Sequence, residues 1–114
     1  MQGIYGFDCS RYQNNVDFKK VKDVYGFCIM KATQGMSWVD PKFKQNQEGS
    51  RKAGLITGYY HFASGGDVKQ EANHFVNTIG PVSEDEILAL DWEIQHHSAV
   101  SWCWNFLAEV ETLV

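Results

Sequence analysis

Asp91 and Glu93 stand two residues apart at the end of the apolar run Ile87-Leu88-Ala89-Leu90. Side chains at i and i+2 of a strand share a face, so both carboxylates point the same way. Two adjacent acids cannot both ionise freely. Their repulsion, with apolar neighbours such as Trp92 and Tyr60, raises one pKa and leaves the other low. Cleavage of a glycosidic bond by acid catalysis needs that separation of a proton donor from a charged partner. On its own Asp-x-Glu also suits a solvated turn after a strand, a reading weakened by the apolar run before it. Asp8 likewise ends an apolar run and precedes a loop. It either opens onto the same mouth as the pair or caps the turn through Ser10 and Gln13.

In Tyr59-Tyr60-His61-Phe62, alternation places Tyr60 and Phe62 on one face and Tyr59 and His61 on the other. Tyr60 beside a paired-acid site could stack on a sugar and hydrogen-bond through its hydroxyl, although at least two of these four rings should simply be core. Trp38 falls in a loop, where a buried role is harder to explain, so it is a candidate sugar platform. Lys31 and His61 join them as candidate substrate-binding residues at strand ends. His96 and His97 are adjacent, which is neither helical nor strand spacing toward one ion, so neither a metal nor another cofactor is expected. Trp102 and Trp104 are read as core packing and an interface. Cys9, Cys28 and Cys103 are odd in number and widely spaced, and are read as buried thiols rather than a disulfide or zinc framework.

Strand-like and helix-like runs alternate around these residues. Ile4 to Cys9 precedes a short amphipathic helix from Val16 to Lys22, and Gly26 to Ala32 is nearly continuous in apolar side chains, as in a strand covered on both faces. A loop from Thr33 to Asp40 leads to a helix that begins at Pro41 with Asp40 as cap and ends near Gly54. Leu55 to Ala63 is the third strand, followed by a helix from Asp67 to Ile79. Ile87 to Glu93 is the fourth, followed by a helix from about Ser98 to the end. Four βα units in a row imply an α/β fold with parallel strands and right-handed crossovers. The glycine fingerprint of a dinucleotide fold and the P-loop lysine are both missing. Polar and acidic residues gather at the strands' carboxyl ends (Asp8, Lys31, His61, Asp91, Glu93), which is the catalytic face of a (β/α) barrel.

The 114 residues fit one domain, and 44% apolar content suffices for a core. A net charge of −4 with scattered basic residues argues against nucleic acid as a partner. The sequence holds no apolar run long enough to span a membrane, and its start lacks the basic and apolar regions of an export signal.

Asp8-Cys9-Ser10-Arg11-Tyr12-Gln13, Lys31-Ala32-Thr33-Gln34-Gly35, Gly58-Tyr59-Tyr60-His61-Phe62-Ala63 and Leu90-Asp91-Trp92-Glu93 occur in an order and spacing that resembles the glycoside hydrolase family 25 lysozymes. The resemblance runs the length of the chain. It implies that residues 1–114 are the N-terminal part of a family 25 catalytic domain, a parallel (β/α) TIM-like barrel of which only four βα units are present. It further implies a muramidase that cuts the β-1,4 bond between N-acetylmuramic acid and N-acetylglucosamine in peptidoglycan. Glu93 would then be the general acid and later the base that activates water. Asp91 would hold the 2-acetamido group or stabilise the oxocarbenium ion, Asp8 would tune the pair's charge and bind the sugar, and Tyr60 would contact the acetamido group. Configuration would be retained, with the acetamido group assisting. Gln34 stands where the family often has Glu, which removes a charge near the mouth. A barrel of this kind needs about 200 residues or more, so a half-barrel that pairs with a second copy is expected.

The missing export signal and the free thiols suit a phage endolysin made in host cytoplasm and acting on the bacterial wall after release. Two other readings compete with muramidase. One is a metal-dependent polysaccharide deacetylase using Asp8, Asp91 and His61 or His96; the other is a truncated, non-catalytic wall-binding or assembly module.

Overall fold

The computed structural model describes residues 3–95 and 97–114; the alternative metal ligand His96 lies outside them. The strands are β1 (Gly6–Cys9), β2 (Phe27–Gln34), β3 (Trp38–Val39), β4 (Ile56–Phe62) and β5 (Ile87–Asp91). The helices are α1 (Phe18–Val21), α2 (Phe43–Ala53), α3 (Val68–Ile79) and α4 (Ala99–Leu113). Four strands pair in parallel in the order β1-β2-β4-β5, and β3 adds antiparallel to the end of β2. The expected α/β class with a parallel sheet is therefore present.

Local chemistry explains the boundaries. The Asp67 side chain accepts the N–H of Gln70 at 3.0 Å and starts α3, which then buries Ala72, Phe75 and Ile79 along one stripe. Gly54 ends α2 at φ 80°, a left-handed conformation that suits glycine. Three boundaries differ from expectation. α2 begins at Phe43 rather than Pro41, because the Asp40 carboxylate divides itself between the N–H groups of Lys42 (2.8 Å) and Arg11 (3.0 Å). β5 stops at Asp91, leaving Trp92 and Glu93 in the following loop. The expected loop around Trp38 contains the two-residue β3 instead.

The register sorts every strand residue to a face. Cys9, Cys28, Met30, Tyr59 and His61 turn toward the helices and are buried there. Asp8, Ile29, Lys31, Gly58, Tyr60, Ala89 and Asp91 share the opposite face. Phe7 and Leu90 pair with Cys28 and His61 and so pack on the helix side. Gly58 is required on the open face, since a Cβ there would lie 2.9 Å from the Ile87 carbonyl oxygen. The register shifts between Lys31 and Thr33, so Ala32 acts as an extra residue that turns Thr33 to the helix side.

Phe43, Tyr59, Phe75 and Phe106 are fully buried between sheet and helices. Each such ring removed from water contributes roughly 1.5–3 kcal/mol. Trp102 belongs to this core as well, stacked on Phe106 at 5.5 Å, as the core-packing reading expects, whereas Trp104 is exposed.

Candidate functional site

Three strands deliver polar side chains to the open face at their carboxyl ends. Asp8 from β1, Tyr60 from β4 and Asp91 from β5 line one cavity of about 310 Å³, with Ile29 and Ala89 as its apolar floor. Burial raises the Tyr60 hydroxyl above the usual phenol range, and the charges of Asp8 and Asp91 push it further. A neutral Tyr60 keeps its proton to donate.

Asp91 is raised to about 6. Burial is the largest cause, followed by a side-chain hydrogen bond with Glu93, the Glu93 charge and the Asp8 charge, while Lys31 pulls the other way. A carboxyl that hydrogen-bonds to a neighbouring carboxyl must keep a proton to do so, which favours the neutral form of Asp91. Of the two acids, Asp91 is the one that the fold raises.

A second group of side chains flanks this cavity. Lys31 extends across the open face with its ammonium 4.7 Å from the Trp38 ring centre and 4.8 Å from that of Phe62, and donates to Gln34 Oε1 at 2.8 Å. In a regular strand residues three apart face opposite ways; the extra residue at Ala32 brings Lys31 and Gln34 to one side. Trp38 is 36% exposed and is held by β3 rather than a free loop. Arg11, from the turn after β1, lies over the other rings, 4.7 Å from Tyr12 and 5.6 Å from Trp38. Sequence reasoning missed Arg11, since an exposed Arg in a turn carries no local signal.

His61 does not reach the mouth. It is fully buried on the helix side, where its Nδ1 meets the Thr33 hydroxyl at 2.7 Å and its Nε2 meets Glu71 at 2.8 Å. Burial lowers its pKa despite Glu71, which leaves a neutral ring that donates from Nε2 and accepts at Nδ1. Glu71 is buried, which raises its carboxyl, but bonds from Ser64, His61 and the backbone N–H of Ser64 and Gly66 outweigh that and hold it low. This network fixes the β4–α3 loop behind the site. The metal triad Asp8, Asp91 and His61 is not assembled, because His61 faces away from both acids. Among the described residues no three His, Cys, Asp or Glu side chains converge as ligands.

Cys9 and Cys28, distant in sequence, bring their sulfurs to 3.6 Å on neighbouring strands and remain free thiols. An apolar groove of about 480 Å³ on α4, lined by Trp92, Val100, Cys103, Trp104 and Leu107 among others, carries no acid or base and is not where the chemistry sits.

The family model described as Glycosyl hydrolases family 25 matches residues 7–113. The chain belongs to this family. The "Autolytic lysozyme" of Clostridium acetobutylicum is 38% identical over 90 residues, 78% of this chain and 28% of that protein. The muramidase from Acremonium alcalophilum superposes with a TM-score of 0.89 at 26% identity, covering 98% of this chain and 62% of that one. The catalytic domain of endolysin ply40, from bacteriophage P40 of Listeria monocytogenes, gives 0.83 at 26% identity, with 98% and 60% covered. The family 25 chain described here thus spans about three-fifths of these two structures and less of the curated relative. Asp8 and Asp91 lie at the carboxyl ends of the parallel strands β1 and β5 and line the same cavity.

Proposed function

We propose that this chain supplies the catalytic acids of a peptidoglycan muramidase, which hydrolyses the β-1,4 bond between N-acetylmuramic acid and N-acetylglucosamine. The observation that carries the reading is that Asp91, raised to about 6 by burial and by its neighbour Glu93, shares one cavity with Asp8 and Tyr60 in a family 25 chain. Glu93 protonates the departing glycosidic oxygen. The substrate's own acetamido oxygen closes on the anomeric carbon, and Asp91 holds the acetamido N–H and offsets the positive charge that develops there. Glu93, now a carboxylate, then takes a proton from water as it opens the ring intermediate, restoring the original configuration. Asp8 and the Tyr60 hydroxyl orient the sugar, with Trp38 and Lys31 along its path.

The four parallel strands form half of a TIM-like barrel in this reading, and a second copy of the chain covers the open edges. The exposed side chains of Val100 and Trp104, on the apolar groove of α4, support that pairing. An endolysin role, with synthesis in host cytoplasm and action on the wall after release, draws support from the similarity to the phage P40 enzyme. No described helix is long and apolar enough to cross a membrane.

Loss of turbidity by Gram-positive walls, with and without chelator, tests this reading against the metal-dependent deacetylase. Weak lysis, indifferent to chelator and abolished by Glu93→Gln, is expected of this chain. Lysis that chelator removes would reverse the assignment.

A further inference from the structure

The loop from Ala63 to Gly66, between β4 and α3, touches the chain on both sides of Glu93. The Ala63 N–H donates to the Asp91 carbonyl oxygen at 3.0 Å, which carries the β4–β5 ladder past the ends of the strands. Gly65, at φ 78°, passes close to the loop after β5: a Cβ there would lie 3.8 Å from the side chains of both Trp92 and Ile94, the residues that flank Glu93. Trp92 in turn packs on Trp102, with ring centres 5.2 Å apart, and the Trp102 indole N–H donates to the Gly66 carbonyl oxygen at 2.9 Å. The segment that carries Asp91 and Glu93 therefore rests on this loop at Ala63, Gly65 and, through Trp102, Gly66.

One buried side chain sets the shape of the loop. Glu71 Oε1 accepts the Ser64 N–H at 3.0 Å, and Oε2 accepts the Ser64 hydroxyl and the Gly66 N–H, both at 2.7 Å. The His61 Nε2 lies 2.8 Å from Oε1 and completes the set. A buried carboxylate bonded through both oxygens holds these groups to one geometry. An amide in its place accepts through one oxygen only and turns its NH2 toward N–H groups that need an acceptor. Glu71 lies on the helix side of the sheet, and the charges that shift Asp91 are those of Glu93, Lys31 and Asp8. Any influence of Glu71 on the acids therefore travels through the backbone and packing of the loop.

We propose that Glu71 is a positioning residue for the acid pair: by clamping Ser64 and Gly66 it fixes the loop on which Trp92 and Ile94 rest, and so holds the Glu93 carboxyl within hydrogen-bonding reach of Asp91. The consequence for catalysis rests on the muramidase reading and extends that site to the far side of the sheet. Two carboxyls in hydrogen-bond contact tolerate little displacement, and a shift of about 1 Å in a reacting group costs on the order of a hundredfold in rate. Glu93 raises Asp91 by its hydrogen bond and by its charge, so a Glu93 that swings away lets the Asp91 midpoint fall.

Carbon-13 titration of Asp91 in Glu71→Gln and Ser64→Ala tests this, with Glu86→Gln as the control. Glu86 is also a bonded carboxylate, held by Arg51 and Tyr59, but it stands before the opposite end of β5. The Asp91 midpoint should fall by about half a pH unit or more in Glu71→Gln and by less in Ser64→Ala, which removes only the hydroxyl's bond. Glu86→Gln should lose stability in urea and leave the midpoint in place. Release of reducing ends from saturating wall should drop about tenfold or more in Glu71→Gln and stay near the parent rate in Glu86→Gln. An Asp91 midpoint unmoved in Glu71→Gln, or moved as far by Glu86→Gln, overturns the inference and leaves the muramidase reading standing. Should Glu71→Gln not fold, Ser64→Ala decides: a lowered midpoint supports the clamp and an unmoved one overturns it. Wall left uncut by the unaltered chain at high concentration counts against the muramidase reading, and the midpoints still decide the clamp.

Discussion

Burial, together with a side-chain hydrogen bond to Glu93 two residues further along the chain, pushes the Asp91 carboxyl up to about 6. A carboxyl raised in the fold binds its proton more tightly there than in the unfolded chain. Its contribution to stability is therefore full below about pH 4 and is lost as pH rises through 6. Asp91→Asn should flatten that slope, so that the variant melts progressively higher than the parent as pH goes from 4 to 7. Carbon-13 titration should place the Asp91 midpoint near 6 and show it falling in Glu93→Gln. A midpoint near 4 in the parent would dissolve the pair.

Asp91→Asn should also cost at least about a hundredfold in the rate of wall cleavage, the usual effect of removing a pre-organised group at a reacting centre. The circular dichroism spectrum should be unchanged. A loss of tenfold or less would move Asp91 away from the reacting atoms.

Glu71 presents the opposite pH sign. Its carboxylate is held low and His61 is held neutral, so both contributions are present at pH 7 and are lost on acidification. The loss begins below about 6.5 for His61 and below about 4.5 for Glu71. Glu71→Ala strands the His61 ring, the Ser64 hydroxyl and two backbone N–H groups, a loss of about 3–5 kcal/mol. Urea unfolding at pH 7 measures it, and a change under 1 kcal/mol would mean that water replaces the carboxylate freely.

How far the sequence revealed this site depended on what each residue's role required. The placement of Asp8 and Asp91 at strand ends was legible because an acid ending an apolar run is a local pattern. The alternation through Tyr59 to Phe62 separated Tyr60 from His61 correctly, but nothing in a strand states which face the helices will cover. His61 was accordingly placed at the mouth, although Thr33 and Glu71 hold it on the far side. The partnership of Lys31 with Gln34 depended on an extra residue in β2, and that of Cys9 with Cys28 on the β1–β2 register; both are long-range facts with no local signature.

The proposed pairing with a second copy draws on the exposed groove on α4, where Val100 and Trp104 are 78% and 70% exposed. Covering such apolar surface is worth about 25 cal/mol per Å². Sedimentation at micromolar concentration should show a dimer that Trp104→Ser weakens at least tenfold. A monomer at all concentrations would remove the proposed pairing.

Analysis of the sugar termini released from purified Gram-positive walls tests the muramidase reading most directly. The chain, incubated at high concentration, should release fragments whose new reducing ends are N-acetylmuramic acid, slowly, and Glu93→Gln should release none. New reducing ends of N-acetylglucosamine, or muramic acid ends that persist in Glu93→Gln, would contradict it.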